Sequence, residues 1–545
     1  MRNISLITLL VLVAVIAVVT AVLELMQAGV LAIWPSIVAL VLVFSTRNVL
    51  LGLLSGAVIG SVILMEGSLF RVPMDLVGQH LLPNFESSWK SGAIIFTLIL
   101  GGFVHLLEKG GTLQALLARL LHGRSARRVE AGAGAFGLVC FFDGLANSLI
   151  VGRIFQPLAR AASVPKVRLA YIVDTTSSAV ACLAFISTWI AFQLSMIREG
   201  FILAGKEDLA EPYYLFFQSL PHNFYAWFAL ILLAVVIWKQ WDIGPMKNFR
   251  QQAGAGKEVE LDDSMAGGGI WRAWVPLLVL LLGVFGGIYA NGTNATAVPM
   301  LPLSWEKLAM SFAGANVTAV LIAASGLASL LAWIFFPRRV PSGGDEVSAS
   351  AVFTEGMVQM FKPVLILVMA WMLSSTLNEL KAADFLGELM SGAVSPPMFP
   401  TIVFITGSLI AFTTGTSWGT MGILMPLAIP LVFTITEGDQ ALAMNLIPVV
   451  IGATFSGAVF GDHCSPMSDT TIVSSIACDT DPIDHVRTQM PYAVIAAIAA
   501  AVVGFPISGI SEGSTYWALF SAALFVVLLL IFRFVSQRVW SKSDR

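Results

Sequence analysis

The chain has 545 residues, of which 57% are hydrophobic and only 12% charged, where ordinary soluble domains carry about 25% charged residues. With a mean hydropathy of +0.85, that excludes a soluble domain and leaves an all-α polytopic membrane protein. The net charge of −3 says little by itself, no nucleic-acid partner is expected, and the placement of the basic residues is more informative.

Met1 and Arg2 precede an apolar run to Met26, longer than the apolar region of a secretory signal and without a clear cleavage site, so it reads as the first span. Stretches near the roughly 18 to 20 apolar residues that cross a bilayer recur at 9–26, 49–64, 224–238, 274–289, 317–336, 494–509 and 519–534, and the chain as a whole supports about 12 to 14 crossings or partial crossings. Cys140, Cys182, Cys464 and Cys478 lie in or beside apolar segments with no CxxC pair, which argues against a disulfide framework or a zinc site.

Arg119, Arg124, Arg127 and Arg128 precede residues 131–158, and Arg160, Lys166 and Arg168 follow them. Both loops are therefore expected in the cytoplasm. The stretch between is too short for two helical crossings and is interrupted by Phe141-Phe142-Asp143-Gly144. It reads as a re-entrant hairpin that carries Asp143 and Asn147 to mid-membrane depth, where non-helical backbone needs a protein-lined cavity. Residues 401–435 repeat the pattern, broken between Phe412 and Gly419. Their flanks carry Lys381, Asp384, Glu388, Glu437 and Asp439 and no arginine, so these loops are expected outside. Downstream of each hairpin comes a related string, Asp174-Thr175-Thr176-Ser177-Ser178 and Asp469-Thr470-Thr471 with Ser474-Ser475. Two similar units with opposite loop charge suggest inverted-topology repeats with re-entrant hairpins and interrupted helices.

The resulting organisation is an N-terminal transmembrane part with the first repeat (1–243), a cytoplasmic linker (244–269), connecting spans with a cytoplasmic loop (270–355), and the second repeat with a C-terminal helix (356–545). Arg533, Arg538, Lys542 and Arg545 place the C-terminus in the cytoplasm. Residues 199–211 and the polar run from Asn291 to Thr296 fall outside by alternation.

The run Gly461-Asp462-His463-Cys464-Ser465-Pro466-Met467-Ser468-Asp469-Thr470-Thr471 sets hydroxyls, carboxylates and an imidazole between apolar segments. A dehydrated alkali cation needs several oxygen ligands, and a carboxylate that binds either the cation or a proton couples the two. Candidate ion-binding residues are Asp143, Asn147, Asp174, Thr175, Thr414, Ser417, Asp462, Ser465, Asp469 and Thr470, with Na⁺ at Asp143 and Asp469, and His463 as a proton relay. Asp174, close to Arg168, reads equally well as a cap or a salt-bridge partner. Asp479, Asp481, Asp484, His485 and Arg487 read as a helix end or solvated loop, and Arg153 as a counter-charge or a snorkelling side chain.

The Gly461 to Thr471 run, with Asp484-His485-Val486-Arg487-Thr488-Gln489-Met490-Pro491-Tyr492, resembles the signature of the NhaC family of sodium/proton antiporters. So do Phe141 to Ser148 with Leu169 to Asp174, and Gly415-Thr416-Ser417-Trp418-Gly419-Thr420-Met421-Gly422. Where some members of that family carry a second acidic residue, this chain has Gly144. The resemblance implies an ion-transporter fold of two inverted repeats, often homodimeric, in the cell (inner) membrane. It further implies alternating-access exchange of cytoplasmic Na⁺ for external H⁺. Members that move amino acids or carboxylates coupled to Na⁺ or H⁺ provide the alternative. The expected partners are the lipid bilayer, Na⁺ and H⁺, and in the alternative a small organic solute. With no nucleophile elbow, P-loop or HExxH motif, no enzyme activity and no cofactor are expected.

Overall fold

The computed structural model describes residues 15–16, 18–20, 22, 29–46, 48–66, 68–110, 125–141, 143–252, 271–296, 315–337, 348–382, 384–385, 394–466 and 468–543. Most of the expected first span, Arg119, Arg124, the linker from 253 onward and residues 338–347 lie outside them. Among the described residues the regular structure is entirely helical. Eight helices among the described residues are long and apolar enough to cross a membrane: Ser88–Lys109, Trp274–Asn294, Val317–Ile334, Ala349–Glu379, Pro396–Thr414, Ser417–Ile435, Gln440–Cys464 and Pro482–Ile510. Pro212–His222 and Phe224–Lys239 form an apolar helix pair bent by 45°, a broken span or a re-entrant loop, and Trp34–Val43, Val49–Leu64 and Thr515–Ile531 are shorter apolar helices.

The helices that matter for function are α1 (Ser88–Lys109), α2 (Ala126–Val139), α3 (Gly144–Ala161), α4 (Lys166–Leu183), α5 (Ile190–Leu203), α6 (Phe361–Glu379), α7 (Phe399–Thr414), α8 (Ser417–Ile435), α9 (Gln440–Cys464), α10 (Asp469–Ala477) and α11 (Pro482–Ala499). Two units follow one plan, a broken pair and then an interrupted helix: α2, break, α3, with α4, break, α5, and α7, break, α8, with α9, break, α10. Three of the breaks have a local cause. Gly415 ends α7 at φ +68° and Thr416 caps α8 by accepting from Gly419 N, a pairing that left-handed glycine and a capping hydroxyl favour. Pro466 has no N–H and drives the preceding Ser465 into extended backbone (φ −75°, ψ 130°), which stops α9. Between α4 and α5, Ala184 turns extended, and Ser187 Oγ donates to Ala181 O while accepting from Trp189 N.

This order corrects one reading. Asp174 sits in the middle of α4, whereas Asp469 is the first residue of α10. The two Asp-Thr-Thr strings are therefore not equivalent, and the counterpart of the 465–468 break is 184–189. The run from Asn291 to Thr296 is the last turn and a half of a helix, Trp271–Thr296, not a loop. Glu199 lies within α5, buried against Lys90 at 2.7 Å.

The inner helices pack on small residues, as they must where lipid offers no hydrophobic drive. A Cβ at Gly457 would lie 2.8 Å from Phe404 O, and one at Gly461 2.2 Å from Ala411 Cβ and 2.3 Å from Phe412 N, so α7 and α9 are almost in backbone contact. Arg168 enters α4 fully buried, paired with both oxygens of Glu130 at 2.7 and 2.9 Å and with Asp242 at 2.5 Å. It fastens α2 and α4 to the chain leaving Phe224–Lys239, so it belongs to the interior rather than to a solvated basic loop. All four cysteines are free and buried.

Candidate functional site

The four breaks meet. A cavity of about 810 Å³ is lined by Asp143 of the first break, Thr188 and Trp189 of the second, Thr414 to Ser417 of the third, and Asp462, Asp469 and Thr470 flanking the fourth. Its opposite wall comes from outer helices: Asn48 and Val49, His105 and Glu108 of α1, and Lys362 of α6. The tips of both broken pairs thus face one space, as non-helical backbone within a membrane requires.

The two buried carboxylates each hold a hydroxyl. Thr188 Oγ1 donates to Asp143 Oδ2 at 2.7 Å. Ser468 Oγ donates to Asp462 Oδ1 at 2.5 Å and contacts Thr470 Oγ1 at 3.0 Å, while Asp462 Oδ2 is buried without a hydrogen-bond partner among the described residues. Asp469 is different: its side chain is 69% exposed, with Lys362 Nζ 3.6 Å away. The helix ends add their partial charges. Asp143 immediately precedes α3 and Asp469 opens α10, positions where the positive amino end of a helix stabilises an ionised carboxylate. The carbonyl ends of α7 and α9 bring negative potential suited to a cation.

Behind Asp462 lies a second, closed network. Asp174 Oδ2 accepts from Gln489 Nε2 at 2.7 Å and Thr471 Oγ1 at 3.2 Å and lies 3.2 Å from His485 Nε2. Gln489 Nε2 also reaches His463 O. His463 is held between Thr175 Oγ1 at 2.9 Å and Tyr225 OH at 2.7 Å, against the ring of Tyr171. Asp174, Thr175 and His485 are fully buried.

Of the residues singled out in the sequence, the cavity brings together Asp143, Thr414, Ser417, Asp462, Asp469 and Thr470. It does not include Asn147, Asp174, Thr175, Ser465 or His463. Asn147 instead ties the first break together, donating to Gly137 O at 2.8 Å and Thr176 O at 3.3 Å. Arg153 is exposed and is not among the residues that line the cavity, and Arg168 pairs with Glu130 and Asp242 rather than with Asp174. Ser468, one of the hydroxyls that the Gly461 to Thr471 run offers beside Asp462 and Asp469, donates to Asp462, whereas Thr188 and Lys362 went unnoticed in the sequence. The reading of His485 as part of a helix end or solvated loop is corrected: Asp481 caps α11 as a helix end should, yet His485 and Gln489 in the following turns are fully buried. The repeat plan itself would have found Thr188, once the break that follows α4 was matched to the break that follows α9.

A model of the Na⁺/H⁺ antiporter family matches residues 180–510. An uncharacterised protein of Haemophilus influenzae is 30% identical over 527 residues, covering 93% of this chain and 95% of its own length. A malate-2H⁺/Na⁺-lactate antiporter of Bacillus subtilis is 36% identical over 125 residues, 21% of this chain and 24% of that one. The Na⁺/H⁺ antiporter NhaC of Alkalihalophilus pseudofirmus is 28% identical over 244 residues, 43% and 44% respectively. Among solved structures, the YdaH transporter of Alcanivorax borkumensis, described as having an unusual topology, superposes with a TM-score of 0.54 at 14% identity. The match covers 82% of this chain and 90% of that one, a likeness of fold.

Proposed function

The chain belongs to the Na⁺/H⁺ antiporter family, and from that premise we propose that the cavity where the four breaks meet binds Na⁺ and H⁺ in alternation. The protein then exports cytoplasmic Na⁺ against inward H⁺ across the cell (inner) membrane, with its C-terminus in the cytoplasm, as a homodimer. The observation that carries this reading is that two buried carboxylates, one from each repeat unit, face one space, each holding a hydroxyl of its own unit: Asp143 with Thr188, and Asp462 with Ser468. Asp143, Thr188 and Ser417 supply oxygens from one side; Asp462, Ser468, Thr470 and Asp469 supply them from the other. When Na⁺ occupies the site, ionised carboxylates offset the lost hydration. When a proton arrives, the charge that held Na⁺ is gone and the cation leaves. Alternating access follows if the inner helices that carry the breaks shift against the outer wall of Val49–Leu64, α1 and α6, exposing the same oxygens to each side in turn.

A second reading has its own support. A cavity of about 810 Å³ exceeds what a bare ion fills and falls within the range of about 300 to 1,000 Å³ typical of small-molecule sites, and Lys362 offers a cation to a carboxylate. On this reading the cargo is a small carboxylate or amino acid coupled to Na⁺ or H⁺. Purified protein in proteoliposomes separates the two. An imposed Na⁺ gradient should drive H⁺ movement with no organic solute present. Movement that appears only when malate, lactate or arginine is supplied would replace the first reading with the second.

A further inference from the structure

We propose that Asp174 is a positioning residue for the cation site: it does not touch the cation, but through Thr471 and Gln489 it fixes both flanks of the 465–468 break and so sets where Asp462 and Thr470 stand. This rests on the reading that Asp143 and Asp462 hold the cation.

The geometry is a clamp around one oxygen. Thr471 Oγ1 lies 3.2 Å from Asp174 Oδ2 and 3.0 Å from the backbone carbonyl of Asp462, its one proton shared between the two acceptors. Gln489 Nε2 bridges the same Oδ2 at 2.7 Å and the carbonyl of His463. Those two carbonyls belong to the last turn of α9, which has lost its intrahelical partners because the helix stops at Cys464. Thr471 lies in the first turn of α10, so a single carboxylate oxygen in the middle of α4 ties the end of one half-helix to the start of the next. The neighbouring Thr175 adds a further tie through His463 Nε2. An unwound segment supplies ligands accurately only when its ends are held, and here the holding groups come from α4 and α11 rather than from the cavity.

Asp174 Oδ1 is buried and takes no hydrogen bond among the described residues. An asparagine can therefore present its carbonyl oxygen in the place of Oδ2, keep the bonds from Thr471 and Gln489, and direct its NH₂ to the unused side. The substitution removes the charge and keeps the clamp. A positioning role survives it; a role as cation ligand or proton carrier does not.

The test compares Asp174→Ala, Asp174→Asn, Thr471→Val and Asp462→Asn in proteoliposomes, measuring KM for Na⁺ and for Li⁺, kcat and the pH profile. Asp174→Ala, which removes the clamping oxygen, should raise KM for Na⁺ about two- to tenfold, and Asp174→Asn, which restores an oxygen there, should bring it back within about twofold of wild type with a superimposable pH profile; wild-type KM in Asp174→Ala overturns the proposal. Thr471→Val should raise KM for Na⁺ about two- to tenfold, the loss expected for one hydrogen bond, and change the ratio of the Na⁺ and Li⁺ KM values, with kcat largely kept. Loss of exchange or a displaced pH optimum in Asp174→Asn overturns the proposal. So does a Thr471→Val protein that melts earlier yet keeps both KM values and their ratio, because the contact is then structural only. If Asp174→Asn does not fold, the Thr471→Val ratio decides alone. Unimpaired exchange in Asp462→Asn refutes the underlying cation site instead, which keeps the two failures apart.

Discussion

Replacing Gly461 by alanine tests whether the near contact of α7 and α9 sets the position of Asp462. The added Cβ would lie 2.2 Å from Ala411 Cβ and 2.3 Å from the Ala411 carbonyl carbon and Phe412 N. Carbon atoms rest at about 3.5 to 4.0 Å, so α9 must retreat by on the order of 1.5 Å, and two of the three obstacles are backbone atoms that cannot rotate away. Overpacking of this kind costs about 1 to 3 kcal/mol. The functional loss should be larger than the stability loss, because Asp462 is the next residue and its 2.5 Å bond to Ser468 cannot survive a displacement of that size; a misplacement near 1 Å can cost about 100-fold in rate. Gly144→Ala is the control: Gly144 adjoins Asp143 as Gly461 adjoins Asp462, and it lines the cavity, yet its Cβ would meet nothing closer than Ser177 O at 3.5 Å. Na⁺-dependent H⁺ flux in proteoliposomes, with thermal melting of the purified proteins, should give a Gly461→Ala protein that folds, melts somewhat earlier and exchanges at least tenfold less well. Gly144→Ala should stay near wild type. Wild-type exchange in Gly461→Ala, or a severe loss in Gly144→Ala, would refute the reasoning.

Asp143→Asn should abolish exchange while the protein stays folded, whereas Thr188→Val, which removes one hydroxyl from a charged acceptor, should raise KM for Na⁺ about tenfold; a harmless Asp143→Asn in the flux assay would remove that residue from the site. Single cysteines near Arg127 and Lys166 should react with an impermeant maleimide only from the cytoplasm, and those near Asp384 and Asp439 only from outside; labelling of both sets from one face would contradict inverted repeats. The Lys166 ammonium, 2.5 Å from the exposed Asp479 carboxylate, holds that group below its ordinary pKa. A depressed carboxylate pKa stabilises the fold above the unfolded value and ceases to as pH falls through the folded one. The small difference in melting temperature between wild type and Asp479→Asn should therefore be present at neutral pH and close in acid or high salt; a difference that grows on acidification would refute the assignment.

Three of the four breaks were legible: Gly415 among threonines and Pro466 after Ser465 stop a helix, and Asp143 interrupts an apolar stretch just before α3 opens at Gly144. The break at 184–189 was not, since Ala184-Phe185-Ile186-Ser187-Thr188-Trp189 holds neither glycine nor proline and reads as continuous hydrocarbon with two hydroxyls. That omission also produced the mistaken match of Asp174 with Asp469, because the repeat was aligned on composition rather than on where the helices stop. The proximity of Asp174 to Arg168 suggests a cap or a salt bridge in the sequence, but Arg168 is itself buried, neutralised by Glu130 and Asp242. The outer wall of the cavity carried no local signal. Lys362 and His105 lie on helices with ordinary patterns, and only packing brings them to face the breaks.

Addition of Na⁺ to the purified protein in weakly buffered detergent solution tests the central claim directly, that the same carboxylates take Na⁺ or H⁺. Proton release should accompany Na⁺ binding, saturate with it, and vanish in the Asp143→Asn, Asp462→Asn double variant. Saturable Na⁺ binding by the wild-type protein with no proton released would contradict it.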